Sequence, residues 1–134
     1  MYFLVPQSKN TIYYLFLCTL FYMVMQEHNN INQQWNKLIA ELSIRFEGEI
    51  DVPAILLLIG LQEIQDLSLE FDKSGKTDLM NVGLCIVLEK LGYYKKHKTD
   101  KDGWPHFTQI KEIDVLSKEN QELLIKRAII DYYN

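Results

Sequence analysis

The chain has 134 residues, 48% of them apolar and 24% charged, with a formal net charge of −4 at pH 7. That length fits one domain able to bury a core unaided, and the near-average composition excludes a disordered or collagen-like chain. The acidic balance opposes nucleic-acid binding unless the cations gather in one place, and the two cysteines, Cys18 and Cys85, both lie in apolar runs. They read as small hydrophobes in a reducing compartment, with no disulfide framework and no metal set.

Thr11 to Met25, TIYYLFLCTLFYMVM, carries no charge, and Lys9 is the sole charge in residues 1–25. Fifteen residues fall short of the roughly 20 that a spanning helix needs. Gln26-Glu27-His28 offers no small-residue cleavage site for a signal peptide. Three readings stay open: a start codon assigned upstream of a true start at Met23 or Met25, a membrane anchor or uncleaved signal, and a docking helix. The domain expected from residue 26 onward begins with a polar connector, Gln26 to Gln33.

Trp35, Leu38, Ile39, Leu42 and Phe46 then form the stripe of an amphipathic helix, with Gly48 expected at its end. The acidic turn that follows is short, which predicts that this helix and the next pack as antiparallel neighbours. Asp51 is placed to cap the second helix, and Pro53 stands in its first turn, where no N–H donor is needed. From Ala54 to Leu61 nearly every residue is apolar. The stripe Leu58, Leu61, Ile64, Leu67 and Phe71 extends the helix to about Phe71, with Leu57, Leu58 and Leu61 expected at the centre of the core. Gly60 costs a helix roughly 1 kcal/mol relative to Ala, which points to close approach of a neighbouring backbone.

Gly75-Lys76-Thr77 before a helix imitates the end of a phosphate-binding loop. The full pattern needs a glycine where Glu70 stands and a strand where a helix is predicted. A calcium loop fails as well, because Lys76 stands at a ligand position and Thr77 where glycine is required. Thr77 or Ser74 is expected to cap a third helix through Leu91, closed by Gly92, with Gly83 admitting a close neighbour.

Tyr93 to Ile110 predicts a β-hairpin turning near Asp102-Gly103, with strands at about Tyr93–His97 and His106–Ile110 and Pro105 on an edge or before the second strand. Ser117 caps a last helix whose stripe is Leu123, Leu124, Ala128, Ile129 and Tyr132. The fold class is therefore mainly α: a four-helix domain with a small hairpin between helices 3 and 4, in winged-helix-like order.

Three functional classes follow. The aromatic group Tyr93, Tyr94, Trp104, Pro105, His106 and Phe107 concentrates ring surface in one loop-rich segment, which favours a cytoplasmic protein–protein contact or self-association. The winged-helix alternative uses Lys95, Lys96, Lys98 and Lys101 as phosphate contacts, although the third helix offers Asp78, Asn81 and Glu89 and no arginine. A small metal-dependent enzyme would need His97 and His106 to converge with Asp100, Asp102, Glu47, Glu49 or Asp51, at a spacing that matches no ligand signature. No cofactor is expected, and membrane contact only if residues 11–25 are a genuine anchor.

The pairing of FEGEIDVPAILLLIGLQE (Phe46–Glu63) with DKDGWPHF (Asp100–Phe107) resembles a family of small bacterial proteins with no assigned activity, over about Lys37 to Tyr132. The resemblance implies a bacterial intracellular domain and does not extend over residues 1–25.

Overall fold

The computed structural model describes residues 9–64, 70–113 and 117–134. Its order is α1 (Lys9–Arg45), α2 (Val52–Glu63), α3 (Lys73–Lys90), β1 (Tyr94–Thr99), β2 (Pro105–Gln109) and α4 (Lys118–Tyr133). The expected helix, helix, helix, hairpin, helix order is therefore present.

The anticipated connector Gln26–Gln33 is absent, because α1 runs unbroken through it for 37 residues, or about 55 Å. Neither glycine nor proline occurs between Lys9 and Glu47, so the polar run contains nothing to stop a helix. The helix ends with Glu47 in the left-handed region at φ 54°, and the Gly48 N–H donates to the Ser43 carbonyl at 3.1 Å. Glu47, not Gly48, takes the left-handed position.

Asp51 caps α2 as expected, its carboxylate accepting from the Ala54 N–H at 2.9 Å, with Pro53 in the first turn. The helix stops at Glu63, earlier than the apolar stripe implied; Ile64 is buried in extended conformation, and Leu67 lies outside the described residues. Asp72 caps α3, accepting from the Gly75 N–H at 2.8 Å. Gly75, Lys76 and Thr77 thus lie inside the helix, and neither Ser74 nor Thr77 is its cap. Ser117 caps α4 through the Asn120 N–H.

Reciprocal glycine contacts fix how α2 meets α3. A Cβ at Gly60 would lie 2.9 Å from the Leu79 carbonyl carbon, and one at Gly83 would lie 2.9 Å from that of Leu56, with each carbonyl oxygen closer still. As α2 advances from Leu56 to Gly60, α3 retreats from Gly83 to Leu79, so the helices are antiparallel and in backbone contact. This register turns Ile55, Leu56 and Ile59 into the core. Leu57, Leu58 and Leu61 are left only half-buried, contrary to the sequence reading. Leu42, Val87, Leu88, Ala128 and Ile129 complete the core cluster.

The main backbone neighbour of α1 is α4, not α2. Glu27 pairs with Arg127, and the Lys126 ammonium lies 5.5 Å from the centre of the Trp35 ring. Trp35, Leu38 and Ile39 pack on the core as predicted, whereas Phe46 is exposed.

Candidate functional site

The hairpin is built by its loop. The Gly103 N–H donates to the Asp100 carbonyl at 3.1 Å and the Asp100 N–H to that of Trp104 at 2.9 Å, while Gly103 adopts φ 84°. This is a turn followed by a left-handed residue, a position that favours glycine over any residue bearing a Cβ. The Asp100 carboxylate accepts from the Asp102 N–H at 3.0 Å, the Trp104 N–H at 2.9 Å and His106 Nε2 at 2.9 Å. These bonds, the His106 contact foremost, hold the Asp100 carboxyl below the ordinary carboxylate range.

Strand register then decides what the hairpin shows to solvent. Tyr94 pairs with Gln109 and Lys96 with Phe107; His97 is the extra residue of a bulge, beyond which Lys98 faces His106 and Thr99 faces Pro105. The face holding Tyr94, Phe107 and Pro105 turns to the helices: Pro105 is buried, and Tyr93, Tyr94, Trp104 and Phe107 are half-buried. Trp104 meets Phe71 edge to face, with ring centres 6.2 Å apart. Of the aromatic cluster singled out in the sequence, only His106 is exposed.

The lysines are divided. Lys96 pairs with Glu63 and donates its backbone N–H to Glu89, which ties the hairpin to α2 and α3. Lys95, Lys98 and Lys101 are exposed. Among the described residues the helix against β1 is α3, whose exposed positions mix Lys76 and Lys90 with Asp78 and Asn81.

His97 and His106 do not share a ligand geometry, since the bulge displaces one and Asp100 engages the other. Among the described residues no group of three His, Cys, Asp or Glu side chains could hold a metal ion. Among the described residues the open clefts include one of about 450 Å³ on the hairpin beside Lys95, His97 and Thr108 and two that involve the helices. One, about 620 Å³, lies between the end of α2 and the hairpin and is edged by Gln62, Glu63, Lys96, Thr99, Lys101 and Asp102. The other, about 370 Å³, runs between α1 and α4 beside Lys37, Glu41, Arg45 and Tyr133. Both have rims of mixed charge, and Leu38, Leu42 and Ile130 floor the second.

The largest unsatisfied surface lies elsewhere. Twelve large apolar side chains between Ile12 and Met25 are 42–71% exposed. At roughly 200 Å² for a fully exposed large side chain, they present on the order of 1,400 Å² to solvent, against the few hundred usual for a soluble monomer. The sequence signal for this arm was its charge-free run joined to a helix with no breaker. No helix among the described residues is long and apolar enough to cross a membrane.

Comparison with known proteins found no matching family model, curated protein or solved structure. The resemblance noted for Phe46–Glu63 and Asp100–Phe107 is untouched by that result.

Proposed function

We propose that the chain is a non-catalytic association module: a rigid helical head that engages an apolar partner through residues 11–25 of α1. One observation carries this reading, the continuity of an exposed, charge-free helical arm with a helix whose second half is packed into the core. Exposed apolar surface of this size marks an interaction site. The hairpin aromatics, directed at the helices, support a packing role, so the contact surface moves from the hairpin to the arm.

The test is the double variant Phe16→Glu with Leu20→Glu in the full chain. It should leave thermal unfolding of the head within about 0.5 kcal/mol of the parent, as for surface positions, while abolishing association. A substantial loss of stability would place the arm in the core and overturn the reading.

A second contact surface is supported by the cleft beside the hairpin, whose rim mixes Lys96 and Lys101 with Glu63 and Asp102 on a firmly held loop. A pre-organised loop loses little entropy on binding a protein partner. Lys101→Glu combined with Asp102→Lys should weaken capture of such a partner without altering the oligomeric state; unchanged capture would remove this surface from consideration.

A further inference from the structure

We infer that the partner of the α1 arm is a lipid bilayer, entered within one leaflet and not crossed. The assignment rests on the association reading above and specifies what covers the arm.

Apolar groups cover a broad arc of the helix. At 3.6 residues per turn, Thr11, Tyr14, Cys18 and Tyr22 fall at spacings of three, four and four and share one face. Ile12, Phe16, Leu20 and Met23 occupy another, and Leu17, Phe21 and Val24 extend it with Tyr13 among them; Leu15 and Met25 fall beside the first face, so apolar groups cover more than half the circumference. A second copy of the helix covers the narrower seam of a paired coil and would leave part of that arc wet. A bilayer covers all of it.

The remaining face suits a head-group boundary. Tyrosine places an apolar ring and a polar tip at such an interface. The hydroxyls are also partly satisfied within the helix: Thr19 donates to the Leu15 carbonyl at 2.8 Å, and Tyr22 accepts from Gln26 at 2.9 Å. The uncharged stretch is about 22 Å long against a hydrocarbon core of about 30 Å. Polar sequence stands at both of its ends, Lys9-Asn10 before it and Gln26-Glu27 after it. A helix lying within one leaflet keeps both ends at head-group level, as spanning would not.

Charge selects the lipid. The arm contains no cation, and the chain is net negative. Lys9 at its start is the one cation beside it, so attraction to anionic head groups is weak and binding should follow apolar burial.

The test is flotation of the full-length chain with phosphatidylcholine vesicles, alongside sedimentation velocity without lipid. The chain should float with neutral vesicles, gain little from added phosphatidylserine, and stay bound on raising salt from 0.05 to about 0.5 M. Phe16→Glu with Leu20→Glu should cut the bound fraction at least tenfold, with the helical circular dichroism of the head retained. A chain that forms discrete oligomers in water and does not float overturns the lipid assignment while leaving apolar association intact. A chain that is monomeric and does not float overturns both. Flotation that requires phosphatidylserine, or survives the double substitution, also overturns the assignment.

Discussion

Replacing Gly60 by alanine tests the packing of α2 on α3. Helix propensity alone favours the substitution by about 1 kcal/mol. The added Cβ would meet the backbone of Leu79, its carbonyl carbon at 2.9 Å, where no flexible side-chain tip can yield. The helices must part by roughly 1 Å, and a gap of about 0.5–1 Å forfeits about a quarter to a half of each dispersion well. That separation loosens Ile55, Leu56 and Ile59 against Leu79 and Val87, all buried. Overpacking of this kind costs about 1–3 kcal/mol, occasionally more, and rigid backbone puts it at the upper end. The expected net effect is a loss of about 2–3 kcal/mol in urea unfolding followed by circular dichroism. Gly83→Ala should behave alike, and the double variant should cost less than the two together, because a helix already displaced by one Cβ accommodates the other. Gly60→Ala that is neutral or stabilising would refute the reciprocal contact.

Gly75 offers the contrast: its added Cβ meets the Phe71 side chain at 3.1 Å, which can move, so Gly75→Ala should be neutral or stabilising by up to about 1 kcal/mol in the same assay. Glu47→Gly should raise stability by about 0.5–1 kcal/mol in urea titration, because the left-handed position penalises a residue bearing a Cβ. Asp51→Ala should cost about 1 kcal/mol by leaving the Ala54 N–H without its cap. Asp100 binds its proton less readily in the folded hairpin than when unfolded, so its stabilising bonds are fully present above the ordinary carboxylate range and are lost as pH falls through its lowered pKa. The Trp104 amide resonance should report that transition, and Asp100→Asn should abolish it.

Local chemistry made much of this fold readable. Asp51 with Pro53, Ser117 before the last helix, and Asp102-Gly103 in the hairpin turn each act through a neighbouring backbone group, which a sequence displays directly. Harder to read was the third helix's start, since Asp72, Ser74 and Thr77 are all capping types within six residues and only one accepts from the first turn. Periodicity misplaced the end of α2, because an apolar stripe persists beyond Glu63 whatever the backbone does. The buried face of α2 depends on where Gly60 meets Leu79, a tertiary fact that the all-apolar run conceals. For the candidate site, ring density marked Trp104 and its neighbours but could not say which way they point. That direction follows from strand register, in which Pro105 and Phe107 share the helix-facing side.

The two cysteines permit the most direct test of the proposed role. Cys18 lies exposed on the arm, whereas Cys85 is half-buried in α3 with its thiol pKa pushed up by burial. Alkylation rates of both, measured by mass spectrometry with and without phosphatidylcholine vesicles, separate the arm from the head. Cys18, on the head-group side of the arm, should react faster in water and be slowed by lipid, though less than a cysteine introduced by Leu20→Cys on the apolar arc, with Cys85 slow throughout. A Cys18 rate unchanged by vesicles, in a chain that is also monomeric, would contradict the account.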